Sequence, residues 1–187
     1  MIKKNAQVAI LALFTLVLVS CGNNNKFKIE KGKVGQLTSK TTVLDLDNLF
    51  KNDSIVKNLS EGALGDNYFQ DDDEYLVYEK GGKLLLTIMP KEQLDSTSTI
   101  KSIEIHDARF KTESGIHFNS TFADINMVNK PRVESTLSSV ILFLDDLNAT
   151  VAIDKEELGL KNFSAQKVTL EQIPDLAKMK SFVVWFN

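Results

Sequence analysis

Two stretches of the chain decide the fold: GQLTSKTTVLDL at residues 35–46 and GIHFNSTFADI at residues 115–125. In each, a glycine precedes a short apolar stretch, and a threonine follows with an acid three residues later and then an aliphatic residue. Thr42 with Asp45, and Thr121 with Asp124, are typical of a helix start. The hydroxyl caps free backbone amides there, and the acid lies near the positive end of the helix. The sequence therefore predicts two short helices that begin in the same way.

Apolar residues recur at helical spacing after both threonines, which predicts an amphipathic helix in each place. The apolar positions are Val43, Leu46, Leu49 and Phe50 in the first stretch and Phe122, Ile125 and Val128 in the second. Pro131 restricts the backbone before it and is expected to close the second helix. The apolar face of each helix is expected to pack against a sheet.

Strand patterns follow each predicted helix. In the first half, residues 75–79 and 83–89 flank Gly81-Gly82, a dipeptide suited to a tight hairpin turn, and residues 100–105 form a further strand. In the second half, residues 140–144 and 149–153 flank a four-residue turn, and residues 179–184 form the further strand. The order helix, hairpin, strand therefore occurs twice, with insertions at residues 57–74 and 155–177.

Alternation of apolar and polar residues in these strands favours an antiparallel sheet that is covered on one face. The predicted fold class is α+β: an antiparallel β-sheet with short amphipathic helices packed on one face. We expect two tandem copies, at residues 34–110 and 111–187, with one continuous domain at 34–187 as the alternative.

Aromatic side chains provide the candidate contacts with a partner. The last strand, Phe182–Phe186, is apolar on both faces, so it is either covered twice or presents Trp185 and Phe186 to a partner. Tyr68 and Phe69 lie in a polar insertion, where they either cap the core or form a binding hot spot. The candidate contact residues are therefore Tyr68, Phe69, Trp185 and Phe186.

The start of the chain carries the most specific motif. Lys3 and Lys4 precede an apolar run of 14 residues, Ala6–Val19, which is too short to cross a bilayer core of roughly 30 Å. Leu18-Val19-Ser20-Cys21 follows and resembles the lipobox of bacterial lipoproteins. This resemblance implies cleavage between Ser20 and Cys21 and a diacylglycerol on the Cys21 thiol.

The lipobox resemblance defines an expected organisation and location. Residues 1–20 would be a signal peptide and residues 21–33 a lipidated tether. The domain would be anchored through Cys21 to a membrane of the bacterial cell envelope, with the periplasmic side of the outer membrane as the expected location. Cys21 is the only cysteine, so its acylation would leave no thiol for a disulfide, a thiolate metal site or a thiol nucleophile.

The charge balance argues against nucleic acid as a partner. The 187-residue chain carries 22 Lys and Arg against 25 Asp and Glu. Removal of residues 1–20 takes away Lys3 and Lys4 and no acid, which leaves a formal charge of −5. Nucleic-acid binding needs concentrated basic surface.

The sequence contains no recognisable catalytic motif. His106 and His117 are the only histidines. They could bind a metal with Glu104 or Asp107 if residues 102–106 and 115–119 formed a hairpin, but two separate surface histidines are the simpler expectation. The acidic run at residues 71–74 lacks the spacing of a calcium loop and predicts a solvated loop. We therefore predict no catalytic residue, no metal ligand and no cofactor.

The glycine, threonine, acid and aliphatic spacing of residues 35–46 and 115–125 resembles a group of small secreted or lipid-anchored bacterial modules. The group includes the beta-lactamase inhibitor protein and small outer-membrane assembly lipoproteins. Because an anchor motif is present and no catalytic motif is found, the leading hypothesis is a non-enzymatic, lipid-anchored envelope protein. Its domain would bind another envelope macromolecule, most simply a protein, in an assembly, inhibitory or structural role. The alternatives are a carrier or sensor with an apolar cavity of several hundred Å³ and a divergent hydrolase that brings a histidine to a serine and a carboxylate.

Overall fold

The computed structural model describes residues 26–60, 72–161 and 163–186. Residues 1–20, which are expected to form a signal peptide, lie outside the described residues. The same holds for the lipobox-like motif Leu18-Val19-Ser20-Cys21 and for Tyr68 and Phe69. No helix in the described part is long and apolar enough to cross a membrane.

The α+β prediction is confirmed. Two short helices, α1 (Val43–Leu49) and α2 (Phe122–Val128), accompany an antiparallel sheet of eight strands. In order across the sheet these strands are β4 (Ser54–Asn58), β5 (Glu74–Tyr78), β6 (Leu84–Pro90), β7 (Ile100–Ile105), β12 (Ser181–Trp185), β11 (Ala149–Asp154), β10 (Ser139–Leu144) and β9 (Arg132–Ser135). The sheet is continuous because β7 of the first half pairs with β12 of the second half.

Each half of the chain contributes one helix followed by four strands of this sheet. The predicted order of helix, hairpin and strand was therefore one strand short in both halves. The missing strands, β4 and β9, are the two edges of the sheet. Their sequences, SIVKN and RVES, are short and largely exposed, so they lack the apolar alternation by which a half-buried strand is identified.

A second, four-stranded sheet stands at the start of the domain, in the order β3 (Leu37–Thr38), β2 (Lys33–Val34), β1 (Lys28–Glu30) and β8 (Lys111–Thr112). The expected tether, residues 21–33, is therefore too long, because β1 and the first residue of β2 fall within it. Phe27 packs edge-on against Phe110 with ring centroids 5.0 Å apart, and the Arg109 guanidinium lies 4.7 Å above the Phe27 ring. The packing of Phe27 and the burial of Ile29 and Val34 make residues 27–34 part of the domain.

The core lies between one face of the eight-stranded sheet and the two helices. Val43, Leu46, Phe122 and Ile125 are the buried residues of the helices, and they belong to the same apolar cluster as the inward residues of the strands. Two 3-10 helices, Lys155–Leu158 and Leu170–Gln172, lie between β11 and β12.

Both helices begin with the predicted capping box and are held at matching places. The carboxylate of Asp45 accepts the Thr42 N–H at 2.8 Å, and that of Asp124 accepts the Thr121 N–H at 2.8 Å. The first two backbone amides of each helix donate to carbonyls outside the helix. Those of α1 bind the carbonyls of Ser98 and Ser96, and those of α2 bind the carbonyls of Ala177 and Asp175. Each helix start is thus tied to the segment that precedes the last strand of its own half.

Candidate functional site

The face of the eight-stranded sheet away from the helices carries a register row that crosses every strand. We define the open face by this row, which from β4 to β9 consists of Val56, Leu76, Thr87, Glu104, Val183, Thr150, Phe143 and Arg132. Thr87 is buried, Val56 and Arg132 are exposed, and the other members are partly exposed. The open face is therefore a broad surface of mixed aliphatic, aromatic and polar side chains.

Trp185 extends the open face along β12. Its side chain is partly exposed, and its indole Nε1 donates to the Thr150 hydroxyl at 3.1 Å. This bond satisfies the polar atom of the ring and fixes its orientation. An aromatic ring with its polar atom already paired suits a contact surface.

The prediction that Phe186, the residue after β12, contacts a partner is wrong. Its side chain is fully buried in the core cluster, and its N–H donates to the Lys101 carbonyl at 2.9 Å. Because successive side chains of a strand point to opposite faces, Trp185 and Phe186 cannot both lie on the open face. The sequence pattern, apolar at every position, did not say which of the two pointed outward.

One end of the open face is stabilised by an arginine. The Arg132 guanidinium lies 4.6 Å above the Phe143 ring, and its Nε and a terminal nitrogen donate to Asp145, each at 3.0 Å. The pair is exposed, so it orients Arg132 more than it stabilises the fold.

The centre of the open face is a small polar cluster. His106 Nε2 lies 2.9 Å from the Thr87 hydroxyl and 4.0 Å from a carboxylate oxygen of Glu104. Burial lowers the pKa of His106, which favours the neutral ring. Burial and the nearby charge of Glu74 raise the pKa of Glu104 above its usual value. The cluster thus holds a carboxylate beside a neutral imidazole.

This cluster does not have the geometry of a catalytic triad. In a triad the two ring nitrogens face different partners, whereas here the same nitrogen, Nε2, faces both Thr87 and Glu104. His106 makes its ring contact with Phe118, at 6.3 Å, and His117 Nδ1 accepts the Asn119 N–H. The hairpin between residues 102–106 and 115–119 does not form, because β7 pairs with β6 and β12 instead.

No group of three or more His, Cys, Asp or Glu residues within residues 26–60, 72–161 and 163–186 is placed to hold a metal ion. The acidic run at residues 71–74, predicted to be a solvated loop, contains one buried residue. Asp73 is almost fully buried and accepts the N–H and hydroxyl of Ser60 and the N–H of Leu94. Burial raises its pKa, but these hydrogen bonds outweigh that effect, and the pKa falls below its ordinary value.

Asp107 is a second buried carboxylate that the sequence did not assign to the core. Its carboxylate accepts hydrogen bonds from Arg109 and forms an ion pair with Lys83 at 2.7 Å. Arg109 also donates to both carboxylate oxygens of Glu79. Burial acts to raise the pKa of Asp107, but these cations hold it far below its usual range. Because Arg109 also covers Phe27, the network fastens the first described residues to the end of β7. Its role is structural.

Lys155 is the third buried charge that sequence reasoning missed. Its side chain is fully buried, and its ammonium donates to the carbonyls of Ser164 and Gln166. Its burial could not be predicted from the sequence, because Lys155 begins a polar segment of the kind that is usually exposed. It anchors the loop between β11 and β12.

Surface clefts adjoin the open face near the β10–β11 turn. Two of them, about 380 and 460 Å³ in volume, share Asn129 and Asp146, and a third of about 290 Å³ contacts Phe143 and Trp185. Asn129 Nδ2 is buried and is the one such side-chain atom without a hydrogen-bond partner in the part of the chain that the structure describes. The linings of the first two clefts include Lys31, Lys130 and several carboxylates beside apolar side chains.

Comparison with known proteins adds a likeness of fold. No family model matches the sequence, and no curated protein matches it significantly. The crystal structure of the uncharacterized protein yfeY from Escherichia coli is similar, with a TM-score of 0.51 and 13% sequence identity. The match covers 86% of this chain and 99% of that chain. At this identity the likeness concerns the fold alone.

Proposed function

We propose that this chain is a non-enzymatic, lipid-anchored lipoprotein of the bacterial cell envelope, and that the open face of its sheet binds another envelope protein. The observation that supports the binding role is the open face itself. Eight strands build it, the helices cover only its reverse side, and Trp185, Phe143, Leu76 and Val183 remain partly exposed on it.

The physical argument rests on what such a surface requires. Protein interfaces are enriched in aromatic side chains and arginine and are surrounded by polar rims. The open face offers Trp185 and Phe143 as oriented rings, with Arg132 stacked on the second of them. Its strands are held by a buried core on the reverse side, so little ordering is needed on binding.

The lipid anchor would hold the domain close to the bilayer. Phe27, the residue packed against Phe110 and Arg109, lies only six positions after Cys21. A chain of that length reaches at most about 20 Å when fully extended. The anchor would therefore keep the first packed residue of the domain within about 20 Å of the membrane surface.

The binding role is tested by photo-crosslinking in the bacterium with the full chain. A photoreactive amino acid replaces Val183 or Phe143 on the open face, and Met127, which is highly exposed on α2, serves as the matched control position. We expect one discrete adduct from the open-face positions and none from position 127. Equal adducts from all three positions, or none from the open face, would contradict the binding role.

The anchor is tested separately, because it depends on other residues. In the wild-type chain, mass spectrometry of the mature protein should find an acylated Cys21 as the first residue. Cys21→Ala should block acylation and leave a precursor that retains residues 1–20. A mature Cys21 with a free thiol would disprove the anchor without affecting the binding role.

A further inference from the structure

Within residues 26–60, 72–161 and 163–186, the carboxylate of Glu104 has no lysine or arginine partner. Glu104 lies on β7, the fourth of eight strands, and its side chain is 26% exposed. Among the described residues its single ion-pair neighbour is His106, at 4.0 Å, and burial keeps that ring neutral. The residues directly opposite it on the adjacent strands are Thr87 and Val183, neither of which carries a charge. The centre of the open face therefore holds a partly desolvated, unpaired carboxylate.

The surroundings of Glu104 disfavour its charge. Among the described residues, the titratable groups that face it are Glu74 from β5 and His106, which directly follows β7. Glu74 adds a second negative charge, and burial adds a desolvation cost. By contrast, the two fully buried carboxylates have partners: Asp73 has Ser60 and Leu94, and Asp107 has Arg109 and Lys83. The unpaired state of Glu104 thus works against the stability of the free chain.

We infer that Glu104 is the specificity-determining residue of the open face, and that it receives a lysine or arginine side chain presented within an apolar surface of the partner protein. The inference rests on the proposed function and deepens it. A cation from outside would supply the charge that the free chain lacks, in surroundings where a charge-assisted hydrogen bond is stronger than in water. The aliphatic neighbours Leu76 and Val183 would exclude water around it.

Charge argues against a second copy of this chain as the occupant. The expected mature chain has a formal charge of −5, and two open faces placed together would bring Glu74 and Glu104 against their own copies. Arg132, the one arginine or lysine in the row, is already paired with Asp145. A basic and apolar surface on a different protein is the complementary choice.

The first test measures the free protein. Glu104→Gln keeps the side-chain shape and removes the charge, and Glu134→Gln is the matched control, since Glu134 is exposed at the edge strand of the same sheet. We expect the melting temperature at pH 7 to rise by about 1–4 °C in E104Q and to remain unchanged in E134Q. A lower melting temperature in E104Q would show that the carboxylate is paired in the free chain, and would overturn the inference.

The pH dependence checks the same point. An acid whose folded pKa is raised contributes stability that is complete below its ordinary value of 4.5 and is lost as pH rises through the folded value. The advantage of E104Q over the wild type should therefore grow as pH increases above 4.5. His106, whose pKa is lowered, acts in the opposite direction below 6.5 and is present in both proteins.

The second test uses the partner identified by the crosslinking experiment. Purified partner should bind E104Q at least about tenfold more weakly than the wild type. Glu92→Gln, which changes an exposed glutamate in the loop between β6 and β7, should leave the affinity unchanged. Glu104→Asp, which retains the charge, should bind better than E104Q. Increased salt should weaken binding of the wild type more than that of E104Q.

The outcomes separate the two claims. A partner that crosslinks to the open face and binds wild type and E104Q with equal affinity and equal salt dependence would overturn the role of Glu104 and leave the proposed function intact. Absence of any partner at the open face would remove both. If E104Q lost its near-UV circular dichroism, Glu104→Asp together with the salt dependence of the wild type would decide the question.

Discussion

The two halves of the chain use the same local signals but secure their insertions with opposite charges. Both halves begin a helix with a threonine and aspartate capping box and tie the helix to the segment before their last strand. In the first half a buried carboxylate, Asp73, binds backbone amides at the end of the insertion. In the second half a buried ammonium, Lys155, binds backbone carbonyls of the loop. Local capping therefore repeats, whereas long-range anchoring is particular to each half.

Replacement of Lys155 should have the largest effect on stability. Lys155→Met keeps the length of the side chain but leaves the carbonyls of Ser164 and Gln166 without their donor. We expect a loss of about 3 kcal/mol in the free energy of unfolding, measured by urea denaturation. Lys161→Met, an exposed lysine of the same loop, is the control and should change little. Equal effects of the two variants would show that Lys155 anchors nothing.

The glycines of the two repeated stretches should differ in how well they tolerate substitution by alanine. Gly35 and Gly115 both have positive φ, at 57° and 87°, so alanine is strained at either position. At Gly35 an added Cβ would also collide with the carbonyl oxygen of Lys26, whereas at Gly115 the space is open. We expect losses of about 2–3 kcal/mol for Gly35→Ala and about 1 kcal/mol for Gly115→Ala. The opposite ranking in thermal melts would contradict the packing of the first described residues on Gly35.

Asp73 offers the counterpart of Lys155 in the first half. Asp73→Asn places an amide where the carboxylate accepts donors from Ser60 and Leu94, and should cost about 2 kcal/mol at pH 7. Because the pKa of Asp73 is lowered in the fold, its contribution is present above 3.8 and is lost as pH falls through the folded value. The difference between wild type and variant should therefore shrink below pH 3.8. The exposed Asp175→Asn is the control.

The capping threonines should show the smallest effects and the closest agreement between the halves. Thr42→Ala and Thr121→Ala each remove a hydroxyl that donates to the helix acid, at 2.8 and 3.0 Å. We expect losses of about 1 kcal/mol each. Thr121→Ala should be slightly the more costly, because its hydroxyl also accepts the Asp124 N–H. A loss confined to one half would mean that the two helix starts are not equivalent.

The sequence predicted most of the regular structure because the signals for it are local. Gly81 and Gly82 adopt the positive φ that the hairpin requires, and the strand predicted at residues 100–105 is β7 with the same bounds. The edge strands β4 and β9 were missed, since strands exposed to solvent need no apolar alternation. Pairing partners decide those strands, and they lie far along the chain.

The candidate site was less predictable, because it depends on which side of a strand faces the core. Trp185 and Phe186 were equivalent in the sequence, yet the register with β7 and β11 places one on the open face and the other in the core. In the sequence, Glu104 was considered as a metal ligand, and His106 as a metal ligand or as the histidine of a divergent hydrolase. Their meeting with Thr87 follows from the pairing of β6 with β7.

The sequence by itself determined the two helix starts, the hairpins and the α+β class, because capping, turn chemistry and periodicity act over a few residues. It also carries the lipobox prediction, which concerns residues outside the described structure. Only the tertiary structure decided the single sheet shared by both halves, the burial of Asp73, Asp107 and Lys155, and the row that leaves Glu104 unpaired at its centre. These features arise from contacts between residues distant in the chain, where the balance between desolvation and pairing sets the role of each charge.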